Sequence, residues 1–169
     1  MPDLVEGSIV MRFAGTCQVA KYDDWAYYRH QFQSVAGGCR GVDAMAIDGH
    51  GRLWLIEVKD YRLHPRTKGG ELAMEVAVKV RDSLAGLAGA RLRANLAAER
   101  GLAATALQAN DVRVLLLLAQ PTAPSRLRPH VVDAAALTQK LRQLLRAVDP
   151  HARVDSSGPS HGVWTLGLP

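Results

Sequence analysis

Gly41-Val42-Asp43-Ala44-Met45-Ala46-Ile47-Asp48-Gly49-His50-Gly51-Arg52-Leu53-Trp54-Leu55-Ile56-Glu57-Val58-Lys59-Asp60 is the most ordered stretch of the chain. Two apolar, strand-like runs, Val42 to Ile47 and Leu53 to Lys59, flank the turn-forming residues 48–52, which together predict a β-hairpin. Side chains alternate across a strand, so Glu57 and Lys59 share a face with Leu53 and Leu55, while Trp54, Ile56 and Val58 point the other way. If Gly49-His50-Gly51 forms a three-residue turn with Gly51 in the left-handed position, Asp48 faces Arg52, and counting outwards Asp43 faces Glu57. A two-residue loop would instead pair Asp43 with Val58 and send the acids to opposite faces.

Beyond the hairpin, the polar segment Tyr61 to Gly70 leads into a helix from about Glu71. Leu72, Val76, Val80, Leu84, Leu87 and Leu92 supply its apolar period, and Gly86, Gly89 and Gly101 are positions for a kink or an end. Asp111 to Ala119 reads as a strand buried on both faces, completing a strand–helix–strand crossover. A Pro-rich loop, Pro121 to Pro129, precedes a helix from Asp133 to Val148 and a short closing strand, Val163 to Leu168. Upstream, Ser8 to Phe13 reads as a strand. Asp23 and Asp24 cap a helix through Tyr27, Tyr28, Gln31 and Phe32, ended by Ala36-Gly37-Gly38. The layout is one α/β domain over residues 1–169.

Composition narrows the function classes. At 169 residues, 48% hydrophobic and 22% charged, the chain has an ordinary globular balance, which excludes collagen-like, disordered and disulfide-scaffold classes. No apolar run approaches the ~18 residues of a membrane span. The acidic start Met1 to Glu6 carries no secretory pattern, so a cytoplasmic location is expected. Cys17 and Cys39 have no zinc-site spacing and read as buried, reduced thiols. The net charge of +5 gives a mild bias towards polyanions.

Opposed Asp43 and Glu57 would place their Cβ atoms roughly 4.5 to 5.5 Å apart, a destabilising pairing unless a proton is shared or a cation binds. Mg²⁺ or Mn²⁺, hard ions that take oxygen ligands and keep several waters, suit such a pair. Lys59, one pleat along, could hold an activated water or stabilise charge on a phosphoryl oxygen. The commoner fate of a Glu-x-Lys is a salt bridge on a solvated face. The apolar strand around Glu57 and the second acid opposite it argue against that fate here. Arg62, His64, Arg66 and Lys68 crowd the segment just after the triad, where a passing phosphate backbone would need them. Glu71, Glu75 and Lys79 share one helix face, for which an exposed salt-bridged stripe is the expected role. Tyr22, Trp25, Tyr27 and Tyr28 read as core packing rather than a base-stacking patch.

At these residues the chain resembles the PD-(D/E)xK nuclease superfamily: Gly41-Val42-Asp43, a hairpin turn, then Ile56-Glu57-Val58-Lys59-Asp60. Its flavour is similar to the Holliday-junction-resolvase, Mrr-type restriction and related toxin branches. The resemblance covers Gly41 to Arg62 by motif and about Asp23 to Ala119 by order of elements. It implies a restriction-endonuclease-like core, a central mixed β-sheet flanked by helices. It also implies that Asp43, Glu57 and the carbonyl of Val58 hold Mg²⁺ or Mn²⁺, and that Lys59 assists the attacking water. The expected activity is hydrolysis of phosphodiester bonds in nucleic acid, DNA ahead of RNA, with no membrane partner and with a homodimer left open. Val42 stands where the naming proline would be. Some branches carry a further acid on the first helix, and Glu6, Asp23 and Asp24 are the candidates for it. Two alternatives stay open: a non-catalytic nucleic-acid or protein-binding module that retains the nuclease fold, and a purely structural hairpin with its acids on opposite faces.

Overall fold

The computed structural model describes residues 1–62, 64, 66, 69–121, 126 and 131–155, together with the backbone of 163–165. Most of the Pro121 to Pro129 loop, Lys68 and residues 166–168 of the expected last strand lie outside the described residues.

The hairpin forms in the predicted register. Strands β4 (Ala44–Ile47) and β5 (Arg52–Asp60) pair antiparallel from Ala44↔Ile56 to Ile47↔Leu53, which continues to Asp48 opposite Arg52 on one side and Asp43 opposite Glu57 on the other. Gly51 takes the left-handed backbone (φ 73°) that the turn requires, and its N–H donates to the Asp48 carbonyl at 3.0 Å. The buried Asp48 carboxylate locks this turn. It accepts from the N–H groups of His50 and Arg52, from Arg52 Nε and from Trp54 Nε1, all within 2.8 to 3.1 Å.

Three further strands complete a mixed sheet of order β3-β4-β5-β6-β7, with β3 (Gln18–Lys21) antiparallel to β4, and β6 (Asp111–Ala119) and β7 (Arg153–Asp155) parallel to β5. Strand β6 starts and ends where the sequence predicts, and its residues 114–119 are buried. The two parallel steps are made through helices α1 (Leu72–Arg93), α2 (Ala97–Ala106) and α3 (Ala134–Leu144). Successive crossovers stepping the same way across a sheet place their helices on the same face. Accordingly one apolar core joins Leu53, Leu55, Val114 and Leu116 to Val76, Val80, Leu87, Ala103 and Leu141. On the other face Ala46, Trp54, Ile56 and Leu115 pack against Leu4, Ile9, Met11 and Phe13. Leu4, Ile9 and Met11 belong to a second, smaller sheet of β1 (Asp3–Glu6), β2 (Ile9–Arg12) and β8 (Val163–Thr165), and Phe13 directly follows β2. Asp133 caps α3 by accepting from the N–H groups of Ala135 and Ala136.

Several expectations need correction. The segment read as one helix from Asp23 to Phe32 begins as a 3₁₀ turn, Tyr22–Asp24, and closes with a π-type bond from the Gln33 N–H to the Tyr28 carbonyl at 2.8 Å. Three consecutive positive φ values, at Ala36, Gly37 and Gly38, end it. The helix glycines neither kink nor stop α1. A Cβ at Gly86 would collide with Tyr22 Oη and one at Gly89 with Tyr27 Oη, so these glycines admit the buried aromatic segment against the helix. Leu92 is 73% exposed, because the apolar period runs one turn past the packed face. Cys17 and Cys39 are free but only half-buried, since each sits in a loop. Among the described residues no helix is long and apolar enough to cross a membrane.

Candidate active site

Strand β5 outruns β4, whose ladder stops at Ala44, so among the described residues no strand pairs with Glu57 and the residues beyond it on that side. Asp43 fills the gap: its Oδ2 accepts the Val58 N–H at 2.7 Å. The segment leading to Asp43 is held in turn by its neighbours. The Arg40 N–H donates to Asp82 Oδ2, the Gly41 N–H to Tyr28 Oη and the Val42 N–H to Ser83 Oγ, each at 2.8 to 2.9 Å. The Tyr22 N–H donates to the Asp43 carbonyl at 3.0 Å. Asp43 is therefore positioned by α1 and by the aromatic segment as well as by its own strand.

Glu57 lies on the face of β5 that carries Leu53 and Leu55, with its side chain fully buried. Two lysines converge on its Oε1: Lys59 at 2.7 Å from two residues along the strand, and Lys79 at 2.6 Å from α1. Lys79 also reaches Asp43 Oδ1 at 3.4 Å, and Lys59 reaches Glu75 Oε1 at 3.3 Å. Arg66 closes the network by donating to Glu75 Oε2 at 3.1 Å and to Tyr61 Oη at 3.2 Å. Three acids and three cations thus share a largely buried cluster.

The two kinds of charge fare differently in it. Burial, followed by the charge of Asp43, pushes the Glu57 carboxyl from an ordinary value near 4.5 up to about 7, against the pull of Lys79 and Lys59. Burial works against the Lys59 and Lys79 ammoniums as well, but Glu57 and Asp43 outweigh it and hold both charged beyond their usual range. The lysine side chains keep 18% and 16% exposure and so retain some hydration, while Glu57 keeps none. Its second oxygen, Oε2, is buried with no hydrogen-bond partner.

Asp23 belongs to the same neighbourhood. It lines a cavity of about 470 Å³ together with Asp43 and Lys79. Burial, then the charges of Asp43 and Glu6, raise its carboxyl to about 6. Its Oδ1 is likewise buried and unpartnered. Of the three acids the sequence left open, Asp23 is the one that shares a cavity with Asp43.

Lys79 and Glu75 are the residues that sequence reasoning misplaced. The spacing Glu71, Glu75, Lys79 was available, but an exposed stripe is not what forms: Glu75 and Lys79 turn inward onto Glu57 and Lys59, and only Glu71 stays exposed, near Lys140 at 3.8 Å. A buried glutamate on the facing strand draws the lysine in, and a helical period alone does not report that. Of the basic segment, Arg62 forms a two-pronged pair with Asp60 and also donates to Ser8 Oγ. Arg66 joins the cluster through Glu75, and His64 is exposed. The four aromatic residues Tyr22, Trp25, Tyr27 and Tyr28 are buried in the core under the helices.

Among the described residues no group of three or more His, Cys, Asp or Glu side chains is arranged to hold a metal ion. The donors that are present are two adjacent carboxylates bridged by Lys79, the hard oxygen type that a divalent ion takes, with Glu57 Oε2 buried and unpartnered.

No family model matches the chain, and no solved structure matches it. The chain is similar to a cysteine–tRNA ligase of Neisseria meningitidis serogroup A / serotype 4A (strain DSM 15465 / Z2491), with 29% identity over 166 residues. That similarity covers 81% of this chain but only 24% of the ligase, so the chain spans about a quarter of that relative's length.

Proposed function

We propose that the chain is a metal-dependent nuclease built on a restriction-endonuclease-like core, with residues 1–169 as one domain. The observation that carries this reading is the juxtaposition of Asp43, Glu57 and Lys59 on one face at the open end of β5, with a buried carboxylate oxygen left unpartnered. Asp43, Glu57 and the Val58 carbonyl would hold Mg²⁺ or Mn²⁺. Such an ion supplies polarisation of a phosphoryl oxygen and a more acidic water.

The chain's own residues account for the rest. Lys59 is held charged, so it acts as a donor, orienting the attacking water or stabilising charge that develops on a phosphoryl oxygen, and not as the base. Lys79 supplies a second positive charge between the acids. Asp43 and Glu57 must both be ionised to serve as ligands, and the raised Glu57 carboxyl makes that step sensitive to pH near neutrality.

One observation favours the non-catalytic binding module: both acids already pair with lysines, which neutralise them without a metal. Incubation with labelled single-stranded, duplex and branched DNA and with RNA, in Mg²⁺ or Mn²⁺ and in chelator, separates the two. The similarity to part of a cysteine–tRNA ligase places tRNA among the RNAs to include. Metal-dependent cutting of any of them supports the nuclease; binding without cutting supports the module.

A further inference from the structure

Two of the basic residues expected to meet a phosphate backbone are occupied: Arg62 by Asp60 and Ser8, Arg66 by Glu75 and Tyr61. A different arginine is placed for that task. One cavity, of about 470 Å³, holds Asp23, Arg29, Asp43 and Lys79; a second, of about 410 Å³, holds Arg66, Gly69, Gly70 and Glu75. Arg40 lines both. Each has the size of a small-ligand pocket. The two flank the acid–lysine cluster, since Asp43 and Lys79 line one and Glu75 the other.

Arg29 pairs with Asp24, Arg66 with Glu75, and Lys79 with Glu57 and Asp43. Among the described residues, Arg40 is the cation lining these cavities that has no carboxylate partner. Its backbone is fixed, because its N–H donates to the buried Asp82 at 2.9 Å, while its side chain is exposed. It lies three positions before Asp43 in the chain, a distance of at most about 11 Å. A strand whose scissile phosphate stood at Asp43 and Glu57 would bring a neighbouring phosphate within reach of that guanidinium.

We infer that Arg40 is the phosphate-positioning residue of a nucleic-acid channel formed by the two cavities, gripping the backbone next to the scissile bond. This rests on the nuclease-like reading of the site for its register, but the contact itself is made with or without cleavage. A free guanidinium has no carboxylate to give up when it binds phosphate, can grip it through two parallel N–H donors, and releases a counterion as it does so.

The test measures binding of fluorescein-labelled single-stranded DNA, RNA and duplex DNA in chelator, across a series of salt concentrations, for wild type, Arg40→Ala and Arg40→Lys. Arg40→Ala should weaken binding roughly tenfold and reduce the slope of log affinity against log salt by about one. Arg40→Lys should restore the slope, which a merely structural role would not require. Thermal unfolding should be the same in all three, as the side chain is exposed. Unchanged affinity and slope in Arg40→Ala overturn the inference. Failure of the wild type to bind any of the three overturns the inference, while the nuclease reading stands or falls on cleavage in Mg²⁺ or Mn²⁺. Arg40-dependent binding without cleavage in Mg²⁺ sustains Arg40 and rejects catalysis.

Discussion

Glu57→Gln should make the protein more stable at pH 8, although it removes a buried carboxylate that two lysines contact. The substitution keeps the side-chain shape and reproduces the protonated form. Glu57 is fully buried, and its carboxyl is raised from near 4.5 to about 7, so ionising it is harder in the folded than in the unfolded chain. The sign follows: an acid whose folded value is raised contributes its stability below about pH 4.5 and loses it as pH rises through 7. Above that window the wild type is less stable than the permanently neutral variant by roughly 3 kcal/mol. In a chain of this size that is a difference of roughly 6–12 °C in Tm. Urea and thermal unfolding in chelator, at pH 5 and pH 8, measure it directly. The gap should be under about 1 kcal/mol at pH 5 and open to its full value at pH 8. If the lysine contacts outweighed burial, Glu57→Gln would instead be destabilised at pH 8; that result, or a gap independent of pH, refutes the reasoning.

Other expectations follow from named contacts. Asp48→Ala removes an acceptor of four hydrogen bonds, one from a buried indole, and should cost about 2–4 kcal/mol by urea unfolding. Hydrogen bonds to Trp54, Arg52 and His50 outweigh burial and hold the Asp48 carboxyl down at about 2. Its contribution is therefore present above about pH 4 and should vanish as pH falls through 2. Gly86→Ala gains about 1 kcal/mol of helix propensity but drives a Cβ into Tyr22, at a cost of about 1–3 kcal/mol or more. The variant should melt lower, and because the Tyr22 N–H bonds the Asp43 carbonyl, any nucleic-acid cleavage should fall with it. Lys79→Met removes a charge that opposes protonation of Glu57, so a ¹³C NMR titration should place that carboxyl above 7; an unmoved titration would rule out the contact.

The hairpin and β6 were legible because local signals set them. Gly51 supplied the turn, strand alternation supplied the faces, and the apolar run of β6 had no competing period. The same register brings Asp43 opposite Glu57. Strands β1, β3 and β7 were not legible: each is three or four residues long and is stabilised by the strand it joins, not by its own pattern. Lys79, Glu75 and Asp23 were misjudged or left open for a related reason. Their inward direction depends on a buried carboxylate and an aromatic segment distant in sequence, information that a helical spacing does not contain. Arg40 carried no local pattern at all; only the fold shows two cavities meeting at it.

The most direct test of the central claim is the single-turnover cleavage rate in Mg²⁺ or Mn²⁺ on whichever nucleic acid the wild type cuts, compared among wild type, Asp43→Asn, Glu57→Gln and Lys59→Met, with each variant first shown to be folded. A hydrolytic centre made of these three residues predicts a loss of at least about 100-fold in every variant. The loss should include Glu57→Gln even as that protein gains stability. Wild-type rates in a folded Glu57→Gln or Lys59→Met protein, or no metal-dependent cutting of any nucleic acid by the wild type, would contradict it.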